Sequence, residues 1–157
     1  MAQLDWVGLL KRYVGNEVKT PYFVPVARLD RVQARNELFV YTLFLAVLFG
    51  VVGVASLSPD LPHGNTLAVP IYAFLIAGAA AVFGFTKHQA AAAVCASAPV
   101  GVLLYFTLYG FHPNAGTGDK ILQVTIAALW LRYSWRILQI ARAWPTMPDR
   151  QRPERTD

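Results

Sequence analysis

Between Leu38 and Leu57 the chain reads LFVYTLFLAVLFGVVGVASL, without a single charged side chain. About 20 apolar residues wound as a helix, rising 1.5 Å each, match a hydrocarbon core about 30 Å thick. In that core each backbone N–H and C=O needs an internal partner, so a run of this length predicts a membrane-crossing helix. Only 15% of the whole chain is charged and 55% is hydrophobic, where soluble domains carry about 25% charged residues. The composition therefore agrees with the run.

Three further stretches have the same length. Leu67–Phe85 carries Pro70 in its first turn, where a missing N–H is tolerated. Thr86, Lys87, His88 and Gln89 form a short polar turn, so the following run, Ala90–Tyr109, must return antiparallel to its predecessor. The last, Ile121–Ala141, is long enough to cross but contains Arg132 and Arg136, with Gln139 and Arg142 continuing roughly the same helical face. The predicted fold class is an all-α integral membrane protein with four transmembrane helices, spanning about 38–57, 67–85, 90–109 and 121–141. Residues 38–144 form one transmembrane domain. Residues 1–37 form a cytoplasmic or interfacial segment, and 145–157 a flexible basic tail.

Within 1–37, Leu4, Val7, Leu10, Tyr13 and Val14 recur at helical spacing, and Lys11 and Arg12 can face anionic headgroups. This pattern predicts an interfacial amphipathic helix. Pro21 and Pro25 punctuate an extended TPYFVPV stretch, and a short polar helix from about Arg28 to Glu37 leads into the first span. Basic residues cluster before the first span (Lys11, Arg12, Lys19, Arg28, Arg31, Arg35), in the turn between spans two and three (Lys87) and in the tail (Arg142, Arg150, Arg152, Arg155). Lys120 alone stands on the other side, with Asp60 and Asp119. By the positive-inside rule both termini are cytoplasmic, in what reads as a bacterial inner membrane protein. The net charge of +5 is explained by these flanks, so no nucleic-acid partner is expected.

Packing and function are read from the exceptions inside the spans. Ala46 and Gly50 in the first span, and Ala93, Ser97 and Gly101 in the third, are spaced as small-residue ridges that admit a neighbouring helix closely. Pro99 deprives the carbonyl of Cys95 of its helical donor and predicts a kink. Arg132 falls past the midplane and needs a partner. Glu37 is the nearby acid in the chain, with lipid phosphate, another subunit's carboxylate or an anionic ligand as the other candidates. Trp130, Tyr133, Trp135 and Trp144 surround the arginines as an aromatic belt. Arg132, Arg136, Trp130, Trp135 and Glu37 are thus the expected lipid or partner contacts.

Catalytic chemistry finds little support. No carboxylate lies within a span apart from Glu37 at its edge, Ser97 has no base at its depth, and no phosphate loop is present. His63, His112, Asp60 and Asp119 lie in the outward connectors, but match no ligand spacing and read as turns, so neither metal nor cofactor is expected. The sequence reads as a small non-catalytic membrane subunit that packs on and stabilises a larger complex or self-associates, with anionic headgroups as lipid partners. The alternative is a homo-oligomeric channel or carrier for a small anion, using the arginines of the fourth helix.

Overall fold

The computed structural model describes residues 24–58, 66–111 and 114–149. The expected interfacial helix, most of the first outward connector, residues 112 and 113 of the second, and the end of the tail lie outside the described residues. A 3-10 turn at Val26–Arg28 leads into α1 (Arg31–Ala55), α2 (Ala68–Thr86), α3 (Gln89–Ala96), α4 (Ala98–Tyr109) and α5 (Thr117–Ala143), followed by a 3-10 turn at Trp144–Thr146. The described residues contain no strand. Three helical segments are long and apolar enough to cross a membrane: α1, α2, and α3 with α4 as one broken span. The described residues are therefore the all-helical body of a membrane protein.

Each helix begins or ends where its sequence supplies the missing hydrogen bonds. Asp30 caps α1 through its Oδ1, which accepts the Gln33 backbone N–H at 2.7 Å, while Gln33 Oε1 accepts the Asp30 N–H at 3.1 Å. This reciprocal box fixes the start of α1 at Arg31, so the expected polar helix and the first span are one continuous helix. Lys87 ends α2 in the left-handed region at φ 57°, a conformation that costs an L-residue about 1–2 kcal/mol. Its ammonium bonds the carbonyl of Gly84. The side-chain Nδ1 of His88 then accepts the N–H of Ala90 at 3.3 Å and starts α3, which closes the expected hairpin in two residues. At the far end Gly110, at φ 79°, releases the chain from α4.

Buried positions recur at helical period on every long helix. Leu38, Tyr41, Leu45 and Phe49 of α1 meet Ala73, Ile76, Ala80 and Phe83 of α2. Ala92, Cys95 and Ala98 come from the broken span, and Ile137, Ile140 and Ala141 from α5. The helices pack in sequence, α1 on α2, α2 on α3, and both α3 and α4 on α5. Large apolar side chains such as Phe39, Val51, Leu75, Leu104 and Leu129 point outward. An apolar girdle of this extent is stable in lipid and not in water.

The terminal ends of the bundle are tied to each other. The backbone N–H of Arg31, an unpaired donor in the first turn of α1, bonds the Pro148 carbonyl at 3.1 Å. Arg31 Nη2 donates to the Pro145 carbonyl at 3.2 Å, and its guanidinium pairs with Asp149 at 3.1 Å. Leu29 and Met147 complete this lid as buried members of the core.

Candidate functional site

At the lid end of the bundle, α1 presents Glu37 and α5 presents Arg136. Arg136 Nε donates to Glu37 Oε1 at 2.7 Å and Nη2 to Oε2 at 3.0 Å, the two-pronged geometry that suits guanidinium to carboxylate. The third nitrogen, Nη1, donates to the Val24 carbonyl at 2.7 Å. The Glu37 side chain is fully buried, and that of Arg136 is 18% exposed. Two charges that the membrane would exclude singly are thus held as one neutral, hydrogen-bonded unit.

The acid expected to answer Arg132 is therefore taken by Arg136. The reason is rotational: one turn of helix is not a full period, so Arg136 is rotated about 40° from Arg132, toward the buried edge marked by Ile137 and Ile140. Arg132 stays on the outside. It makes no ion pair among the described residues, and it borders a groove lined by Ala96, Ala128, Leu131 and Trp135. Trp135 is exposed beside it, with the Arg142 guanidinium 5.6 Å from its ring centroid. Trp130 turns the other way, packing edge-on to Phe44 at 5.7 Å and tilted against Phe49 at 6.3 Å. The expected contact residues thus split into an internal set, Glu37, Arg136 and Trp130, and an external pair, Arg132 and Trp135.

A second polar cluster lies one turn further in, at the break of the third span. The break falls at Ser97, and Pro99 occupies the first turn of α4. The orphaned Cys95 carbonyl accepts the Tyr41 hydroxyl of α1 at 3.3 Å, and that hydroxyl shares a 2.8 Å hydrogen bond with Ser134 Oγ of α5. Tyr72 of α2 reaches the same break from the other side, its hydroxyl 3.0 Å from both the Ser97 carbonyl and Oγ. Tyr41 thereby satisfies the carbonyl that proline leaves open, as an interrupted membrane helix requires, while Ser134 holds the tyrosine and Tyr72 adds a bond at Ser97, whose carbonyl also keeps its helical donor Gly101 at 2.9 Å. The Trp130 indole N–H is buried with no hydrogen-bond partner among the described residues.

The small residues divide similarly. Gly101 lies under the Tyr72 ring, where an added Cβ would come within 2.5 Å of it. Ala46 is half-buried and Ser97 bonds the Val94 carbonyl at 2.7 Å. Ala93 faces outward, the buried positions of α3 being Ala92 and Cys95, and a Cβ at Gly50 would meet nothing within 4 Å. The close approach in the first span is made instead by Gly53, against Phe74. Burial and, secondly, the Arg35 charge push the Lys87 ammonium below the ordinary lysine value in the turn between α2 and α3. Among the described residues no cluster of His, Cys, Asp or Glu could hold a metal; Asp60, His63 and His112 lie outside them. Comparison with protein-family models, curated proteins and solved structures finds no match.

Proposed function

We propose that this chain is a small non-catalytic subunit of a larger inner-membrane assembly, crossing the bilayer four times with both termini cytoplasmic. The observation that carries the reading is the fate of the two arginines. Arg136, with Glu37, is spent inside the bundle on holding α5 to α1 and to the segment at Val24 that leads into it. Arg132 faces outward, where a neighbour in the membrane can reach it. Ionisable groups at the described inner end thus serve cohesion and an exterior face, and the tyrosine and serine hydroxyls serve the broken helix. A fourth crossing is supported by α5 itself: it lies beside both halves of the broken span, and its charge at Arg136 is neutralised by Glu37. An anion pathway through a single bundle would need Arg136 free. A pathway using Arg132 would have to form between copies.

Extraction in mild detergent, followed by mass measurement and identification of companions, tests this function. A defined hetero-complex that contains the chain is the expected result. Discrete homo-oligomers that conduct anions in liposomes would replace it with the channel reading, and a companionless monomer would remove both.

A further inference from the structure

The geometry points to a binding site for one anionic phospholipid on the outer face of α5, its phosphate on Arg132 and an acyl chain in the groove beside it. The groove runs between α3 and α5 and measures about 530 Å³. Ala96 and Ala128 make it shallow and smooth, Leu131 and Trp135 flank it, and Arg132 closes it with its cation. An apolar trough with a positive charge at one edge is complementary to a lipid tail under a negative headgroup. Trp135 adds an amphipathic ring of the kind that lies at headgroup depth, and Arg142, 5.6 Å from that ring, adds a second positive charge on the same exposed side. No carboxylate pairs with Arg132 among the described residues, which leaves its exposed guanidinium open to the negative charge of a headgroup.

Ordinary snorkelling is a poor alternative here. Arg132 lies one turn, about 6 Å, deeper than the Glu37–Arg136 pair. Side chains of a helix lean toward its N-terminus, which for α5 is the direction away from Arg142 and the lid. To reach headgroups unaided, Arg132 would have to bend back against that lean. A lipid held in the groove brings its phosphate down to the guanidinium instead. That this lipid belongs to the inner leaflet rests on the four-span reading above; the groove and its charge do not.

The full chain, purified and equilibrated with mixed vesicles containing equal amounts of phosphatidylglycerol and phosphatidylcholine, is examined by native mass spectrometry for retained lipid. A preference for phosphatidylglycerol on the order of tenfold is expected, equivalent to about 1.4 kcal/mol. Arg132→Gln should bring the two lipids close to parity. Ala128→Leu, at an exposed position, should lower retention of both while the thermal midpoint stays unchanged. A wild-type chain without preference, an Arg132→Gln chain that keeps it, or an Ala128→Leu chain with full retention would each overturn the site. Companion proteins are scored separately: companions lost in Arg132→Gln with lipid preference intact would assign Arg132 to a protein carboxylate and overturn the lipid site. Lipid preference retained by a chain that has no companion would leave the site standing and remove the subunit reading.

Discussion

Glu37 and Arg136 form the interaction whose removal the protein should tolerate least. Taking one member from a buried pair leaves the other charged and without compensation, which costs about 3–5 kcal/mol. Glu37→Gln should therefore lower the thermal midpoint in detergent sharply. Arg136→Lys should recover little, because an ammonium cannot hold both carboxylate oxygens and the Val24 carbonyl together. The double variant Glu37→Met with Arg136→Met should lie well above Glu37→Gln, since an apolar pair leaves no stranded charge. A double variant as unstable as the single one would show that shape, and not charge, is what this contact supplies. The existence of the two partners was legible in the sequence, and their pairing was not. Glu37 was the candidate for Arg132, and a rotation of about 40° between successive turns gives it to Arg136 instead.

At the scale of the helix, the break at Ser97 makes α1 a partner of a backbone it does not belong to, with α5 holding the Tyr41 hydroxyl through Ser134. Pro99→Ala restores an N–H that can bond the Cys95 carbonyl along the helix, so the Tyr41 hydroxyl is no longer needed there. Tyr41→Phe alone should cost about 1–3 kcal/mol by stranding buried acceptors. In the Pro99→Ala background the cost should shrink, with a coupling of about 0.5–1.5 kcal/mol in a double-mutant cycle. Strict additivity in thermal unfolding would mean that the Tyr41–Cys95 contact contributes nothing. The kink was legible, because Pro99 removes a specific donor whatever surrounds it. The two tyrosines that repair it were not, because only the register of α1, α2 and α3 brings Tyr41 and Tyr72 to Cys95 and Ser97. The outward turn of Ala93 was hidden likewise: α3 is alanine-rich all round, so small size alone cannot say which face is covered. The long apolar helices were read closely because their lengths are imposed by the bilayer. Where α1 begins was set locally by Asp30 and Gln33.

For the whole molecule, the proposed four crossings make a definite labelling pattern. Cysteine probes at Asn114 should react with an impermeant reagent added outside, and probes at Gln151 only after the membrane is opened; the reverse pattern would invert the topology, and labelling of both from outside would remove the fourth crossing. The ion pair also gives the molecule a history. Its two halves are separated by 99 residues, and at about 5–20 residues per second a ribosome needs on the order of 5–20 s to make the second after the first. During that interval Glu37 waits on an inserted helix with its guanidinium not yet synthesised. A chain that stops before α5 never leaves that state. Arg136 is thus the residue whose arrival closes the lid end of the bundle, the last-made helix supplying the charge that the first one lacks.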